Sequence, residues 1–391
     1  MGKIILFCAD GTWNGPGQPD ADNTTAPPTN VFKLFLNIAG SITPDTALLA
    51  NEQERVLKDA ASGAVLQWTK YLHGVGDSGN FLVRLLGGTL GAGLIARIVR
   101  GYTFISRNYV PGDRIFITGF SRGAYTARAL AGMIANKGLL DATKTDLTDK
   151  QIAYRMGSAV WYAYRRAALN SNPSLLGRLA DTVLDLPGFL TMQVADNLLI
   201  KPSIEMVAVW DTVGSLGIPT YTLENSRADV FQFADTVLSP IVAHGVHALA
   251  LDEQREDFTP TLWDPAPRIV QILFSGCHSD VGGGFVSPGV ESGLQDCGLQ
   301  WMTDRLAERG VTFLAQPAYV PHPDPLATAH QTWLSGIWSD LPIAARVFPA
   351  NVLIGEEVVQ RMAAPAVVPD PTLPPDRYAP TNLPRSNATV A

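Results

Sequence analysis

The chain has 391 residues, 46% of them hydrophobic and 17% charged, a balance that supports a large buried core and argues against a disordered chain. Its 36 acidic and 29 basic residues give a formal charge of −7, and no basic stripe marks a nucleic-acid partner. Cys8, Cys277 and Cys297 lie far apart with no C-x-x-C pair, which points away from a disulfide framework or a zinc site. The first predicted element is the run Ile4 to Cys8, which meets Asp10 too soon to be a secretory signal and reads as a buried strand. A helix is expected from Asn30 to Ile38 behind the cap Thr29. Val65 to Leu72 reads as a further strand, followed by a helix over Gly91 to Asn108. Arg114 to Thr118 and Ile204 to Trp210 are the next strands, with a helix from Arg122 to Asn136 between them. Ile269 to Phe274 completes the set.

Strands alternating with helices predict an α/β fold with a mostly parallel central sheet flanked by helices, and ligand sites at the carboxyl ends of the strands. The catalytic domain is expected over 1–362, with cap-like helical insertions at about 139–201 and 220–262. The second insertion is expected to carry His244 and His247 on a helix, and Asp252 beyond them. The proline-dense end, 363–391, is expected to be an extended strap or tail. The longest apolar stretch without a charge, Leu85 to Ala96, is too short to cross a bilayer. A soluble chain is therefore expected, either cytoplasmic or exported without a cleaved signal.

The chemistry centres on Gly119-Phe120-Ser121-Arg122-Gly123, set between a predicted strand and a predicted helix. That context is a nucleophile elbow, in which a sharp turn projects the serine oxygen into the site at the start of a helix. It makes the fold α/β-hydrolase-like. A hydroxyl needs a general base and an acid to orient that base. His278, in the glycine-rich loop after Ile269 to Phe274, is the expected base. Asp211, directly after the strand Ile204 to Trp210, is favoured as the acid over Asp252 and Asp280. Oxyanion donors are expected from the N–H of Arg122 and of Gly11 or Thr12. Asp10 either braces that loop or binds a cation with Asp280 or Asp77, bracing being the simpler reading. No metal or other cofactor is required by this chemistry. His73 stands at a strand end, and His322 and His330 read as structural or exposed.

Several segments occur together in the order found in a known family: Phe7 to Asn14, Thr29-Asn30-Val31, Gly74-Val75-Gly76, the Ser121 elbow, Trp210 to Gly214, His247 to Glu253, His278 to Gly284 and Tyr378 to Pro384. In these the chain resembles the hydrolases grouped as domain of unknown function 2235, over nearly its whole length. That family includes phospholipase effectors of bacterial type VI secretion with a serine, aspartate and histidine triad. The resemblance implies Ser121, Asp211 and His278 as the triad, a lipid or ester substrate, contact with a membrane surface and a secretion-system partner. The expected function is hydrolysis of acyl esters, with phospholipid as the leading substrate. A soluble-ester or polyester hydrolase and a non-catalytic scaffold are the alternatives. Trp161, Tyr162, Tyr164, Leu184, Leu186, Phe189, Leu190, Phe231 and Phe233 lie in the two insertions, either packing a cap or lining an apolar entrance to the site.

Overall fold

The computed structural model describes residues 2–11, 27–49, 51–74, 91–171, 193–213, 236–286, 292–334, 338–339 and 342–384. In chain order these form β1 (Ile4–Ala9), α1 (Asn30–Asn37), β2 (Ser41–Ile42), β3 (Glu52–Lys58), β4 (Val65–Leu72), α2 (Gly91–Asn108), β5 (Arg114–Phe120) and α3 (Arg122–Lys137). Next come β6 (Leu139–Leu140), α4 (Lys150–Ser171), β7 (Leu199–Ile200), β8 (Ile204–Trp210), β9 (Val242–Ala250) and β10 (Ile269–Phe274). The remainder is α5 (His278–Gly282), α6 (Gly293–Glu308), β11 (Leu353–Ile354) and α7 (Glu356–Ala363).

Nine strands form one sheet in the order β11-β10-β9-β8-β5-β1-β4-β3-β2. Pairing is parallel from β11 through to β4, and antiparallel only at the β3 and β2 edge. The apolar runs read from the sequence are the central strands because parallel strands covered on both faces need apolar side chains on both. β1 illustrates the arithmetic of a two-residue period. Ile5, Phe7 and Ala9 enter the core beneath α2 and α3, whereas Ile4, Leu6 and Cys8 enter the opposite core with α1 and α6. The α/β architecture is thus the one expected, with helices on both faces.

Two expectations need correction. The helix predicted around His244 and His247 is β9, a central strand between β8 and β10. Residues three apart fall on opposite faces of a strand, so these two histidines cannot share a ligand as they would on a helix. The middle of the span 220–262 therefore belongs to the sheet and not to a cap, and Phe231 and Phe233 lie outside the described residues. In the first insertion, α4 packs on α2 and α3, and Trp161 is buried in their shared core with Tyr162 and Tyr164 against it. These contacts fix the segment to the domain. Leu184, Leu186, Phe189 and Leu190 lie outside the described residues.

After α7 the chain is extended and turn-rich. Val367 and Asp376 exchange backbone hydrogen bonds of 2.8 and 2.9 Å. Arg361, fully buried, donates to the carbonyls of Pro325, Ala327 and Val368. Tyr378 and Asn382 then return the chain to the loop after β9. Among the described residues no helix is long and apolar enough to cross a membrane.

Candidate active site

β5 and β8 are neighbours, with Phe120 opposite Trp210, so the residues that follow them, Ser121 and Asp211, leave the same end of the sheet side by side. Among the described residues these are the two non-glycine positions with positive φ, 56° at Ser121 and 34° at Asp211. Such backbone costs about 1–3 kcal/mol and persists where the surroundings over-determine it. At Ser121 the surroundings are steric. A Cβ on Gly123 would stand 2.1 Å from the Ala9 carbonyl oxygen, and one on Gly119 would stand 2.3 Å from the Gly123 oxygen. Both outer glycines of the motif are therefore demanded by close packing of β5, α3 and β1. Ser121 caps the amino end of α3 and is 7% exposed.

His278 opens the short helix α5, two strands further along the sheet. Its ring lies between Phe120, with centroids 4.5 Å apart, and Phe258, 5.0 Å away and edge-on. Its Nδ1 lies 2.5 Å from Asp211 Oδ2. An ionised Asp211 accepts a proton donated from Nδ1, which leaves Nε2 the basic nitrogen. Nε2 is buried and makes no hydrogen bond to the described residues. Burial holds the imidazole below its ordinary pKa, and Asp211 opposes that drop. The His278 backbone N–H donates to Glu253 Oε2 at 3.1 Å, and Glu253 is itself gripped by Arg255 at 2.8 Å through each oxygen.

Asp211 is fully buried and every oxygen is engaged. Oδ1 accepts from the Ala250 N–H at 3.0 Å and from Arg346 Nη1 at 2.7 Å, while Oδ2 accepts from Arg346 Nη2 at 2.9 Å as well as facing His278. Burial by itself would raise this carboxyl, but the Arg346 guanidinium and then His278 override it and hold it well below the usual carboxylate range. The neighbouring Thr212 N–H donates 3.0 Å to Nε2 of buried His247, whose pKa burial pushes down to about 3.

The other candidate acids are occupied elsewhere. Asp252 accepts from the Gly276 N–H at 2.6 Å and from the Tyr378 hydroxyl at 2.8 Å, and burial raises it to about 6. Asp280 accepts from the Cys277 N–H at 2.9 Å and faces His330 Nδ1 at 2.7 Å, with His330 stacked on Phe285. Asp10 accepts from Gly11 N–H at 2.7 Å, the Thr29 hydroxyl at 2.7 Å and the Tyr71 hydroxyl at 2.6 Å, and burial raises it to about 7. Three donors aimed at one carboxylate amount to a brace. Among the described residues no group of three or more His, Cys, Asp or Glu side chains is gathered closely enough to hold a metal ion, and Asp77 lies outside them.

The oxyanion donors need one correction. The Gly11 N–H points into the Asp10 carboxylate, so it serves the loop and is not offered to a substrate. Thr12 lies outside the described residues. Arg122 begins α3, where the positive end of the helix dipole lies beside Ser121.

Arg346, Arg255 and Phe258 were not legible as site residues. Glu253 ends the segment His247 to Glu253, in which no local pattern announces its role. The sole signal for Arg346 is a charge in the otherwise apolar run Ala344-Ala345-Arg346-Val347-Phe348. A sequence profile of the family described as T6SS, phospholipase effector Tle1-like, catalytic domain matches residues 3–305. The chain belongs to this family. A protein of Saccharomyces cerevisiae, described as uncharacterized protein YEL023C, is 26% identical to the Tle1-like chain over 285 residues, 70% of this chain and 34% of the yeast protein. Among solved structures, an uncharacterized protein from Pseudomonas aeruginosa aligns with a TM-score of 0.40 at 18% identity, covering 82% of this chain and 48% of that one. The Tle1 effector bound to the VgrG spike of the type 6 secretion system aligns with a TM-score of 0.37 at 17% identity, covering 75% and 53%. The Tle1-like chain thus spans part of the length of each of these proteins.

Proposed function

We propose that the chain is an α/β-hydrolase-type serine esterase that cleaves acyl esters of phospholipid, with Ser121, His278 and Asp211 as its triad. The observation that carries this reading is the Asp211–His278 contact beside a strained, glycine-flanked serine at the carboxyl ends of neighbouring strands. In the reaction, Ser121 Oγ attacks the ester carbonyl while its proton passes to His278 Nε2. The tetrahedral intermediate collapses as the alcohol leaves with that proton, and an acyl-enzyme remains. Water then attacks the acyl carbon, His278 takes its proton, and the fatty acid departs as Ser121 recovers the proton. Asp211 keeps Nδ1 protonated and steadies the imidazolium. The Arg122 backbone N–H, with Thr12 as second donor, stabilises the oxyanion.

Membership of a family named for phospholipase effectors supports the substrate class, and the ordered motifs support placing the chain among the hydrolases of domain of unknown function 2235. The catalytic domain is taken as 1–362, followed by the proline-rich segment. A component of a type VI secretion spike is the partner this reading favours, by likeness to what is described for the Tle1 effector. The test is product analysis by mass spectrometry with purified protein and defined phospholipids. Lysophospholipid and free fatty acid should accumulate with the parent and not with Ser121→Ala. Equal product from a folded Ser121→Ala protein would refute the mechanism, and turnover of short soluble esters alone would replace the lipid by a soluble substrate.

A further inference from the structure

A second feature lies away from Ser121. A cleft of about 620 Å³ runs between α2, the start of α4 and the β3–β4 edge of the sheet. Lys70, Arg100, Arg107, Lys150 and Arg155 line it, against Glu52 as the one lining carboxylate among the described residues. In a chain of net charge −7 this is a local reversal of sign.

Internal partners account for part of that charge. Lys70 pairs with Glu52 and, at 3.0 Å, with Glu54. Arg100 Nη1 stands 3.4 Å from Glu52 Oε2 with half of its side chain exposed. Arg107 donates through Nε to the Leu147 carbonyl at 2.9 Å, a neutral partner, and makes no ion pair among the described residues. Lys150 and Arg155 are exposed, and the nearby Asp149 accepts the N–H groups of Gln151 and Ile152 at 2.8 and 3.0 Å. Setting Glu52, Glu54 and the nearby Asp149 against the five cations leaves a surplus of two among these described residues.

The register fixes which way this region faces. β4 is parallel to β1, and β1 to β5, so Leu72 ends β4 at the same end of the sheet where Ser121 follows Phe120. β3 is antiparallel with Glu52 opposite Leu72, which puts the turn before it at that same end. On this turn Leu48 is 98% exposed and Leu49, which also lines the cleft, is 44% exposed. Adjacent leucines held in water beside a surplus of cations fit an apolar layer beneath anionic groups.

We propose that the cationic cleft and the Leu48–Leu49 tip form a docking face for an anionic phospholipid bilayer, with the cations on lipid phosphates and the leucines at the acyl boundary. The idea rests on the lipid-ester reading for its direction, since docking there brings the Ser121 end of the sheet towards the lipid. Basic residues near an anionic surface act additively and are screened by salt.

The experiment is co-sedimentation of the 391-residue chain carrying Ser121→Ala with phosphatidylcholine vesicles, with and without an equal part of phosphatidylglycerol. Binding should require phosphatidylglycerol and weaken with added salt. Adding Lys150→Glu, Arg155→Glu and Arg107→Gln should weaken it roughly a hundredfold, and Leu48→Ser with Leu49→Ser roughly tenfold or more. The same substitutions on the parent should leave the fold intact and hydrolysis of a short soluble ester unchanged. Equal binding to both vesicle types, or undiminished binding by the charge variant, would overturn the proposal. So would loss of vesicle binding to millimolar inorganic phosphate at constant ionic strength, which would mark a soluble-phosphate site. If the parent cleaves no ester yet Ser121→Ala still requires phosphatidylglycerol to bind, the docking face stands and the hydrolase reading fails.

Discussion

Replacing Arg346 tests how the site keeps its acid ionised. Arg346 supplies two of the hydrogen bonds on Asp211, at 2.7 and 2.9 Å, and also holds the carbonyls of Ala250 and Phe258. In Arg346→Met, burial would act on Asp211 with only His278 and the Ala250 N–H left to oppose it. Asp211 and His278 share a contact and titrate as a pair, so the pair should take up its proton at higher pH. The acidic limb of kcat/KM should move up by roughly one unit or more, as expected for removing an opposite charge at hydrogen-bond distance. Loss of the clamp also frees the carboxylate to rotate, and a misplacement of this kind lowers kcat on the order of a hundredfold. Stripping one partner from a buried pair costs about 3–5 kcal/mol of folding stability, so urea unfolding must accompany the kinetics. Arg346→Lys keeps the charge and loses the two-pronged geometry. It should restore most of the pH limb and less of kcat. The assay is hydrolysis of a soluble chromogenic ester from pH 4 to 9, chosen as a range about the histidine value. A folded Arg346→Met enzyme with the parental limb and kcat within about twofold would refute the reasoning.

Other outcomes follow from the same contacts. Asp211→Asn should lower kcat on the order of ten-thousandfold, as loss of the orienting acid does in serine hydrolases, whereas Asp252→Asn should change it by less than about tenfold; the reverse ranking in steady-state kinetics would move the acid to Asp252. Tyr378→Phe removes the hydroxyl that donates to Asp252 and should cost about 1.5–3 kcal/mol in urea unfolding, with kcat little altered; unchanged stability would deny the carboxyl-terminal segment a bracing role. His247 has a folded pKa of about 3 against about 6.5 unfolded, so protons bind the unfolded chain first and its contribution drains away as pH falls from 6.5 towards 3. The stability gap between parent and His247→Gln should therefore narrow across that window, by on the order of 5 kcal/mol at its full extent; a gap independent of pH would mean that His247 is not held neutral. The difference between the two proteins is the quantity to read, because Asp10, Asp252 and Glu357 are raised by burial and act in the opposite direction with pH.

The strands β1, β5, β8 and β10 were legible because burial on both faces demands unbroken apolar runs, and the elbow because its glycines are required by contact. β3 was not, since Glu-Gln-Glu-Arg-Val-Leu-Lys sits near the sheet edge where polar side chains reach water. β9 was misread because two histidines at a spacing of three fit a helix equally well, and only the neighbouring strands decide the matter. The meeting of Asp211 with His278 follows from strand order, which chain order does not state. Arg346 lies 135 residues from Asp211 and arrives on an irregular segment, so no local pattern announces it. The Gly11 donor was misassigned for a similar reason: the Asp10 side chain reaches the next N–H, a contact that depends on where Thr29 and Tyr71 hold the carboxylate.

The most direct measurement is labelling of the purified chain with a fluorophosphonate, followed by peptide mass spectrometry. One adduct per chain should form on Ser121, vanish in Ser121→Ala and slow by on the order of a thousandfold in His278→Ala. A folded protein that remains unlabelled, or one labelled at another serine, would contradict the assignment of Ser121 as the nucleophile.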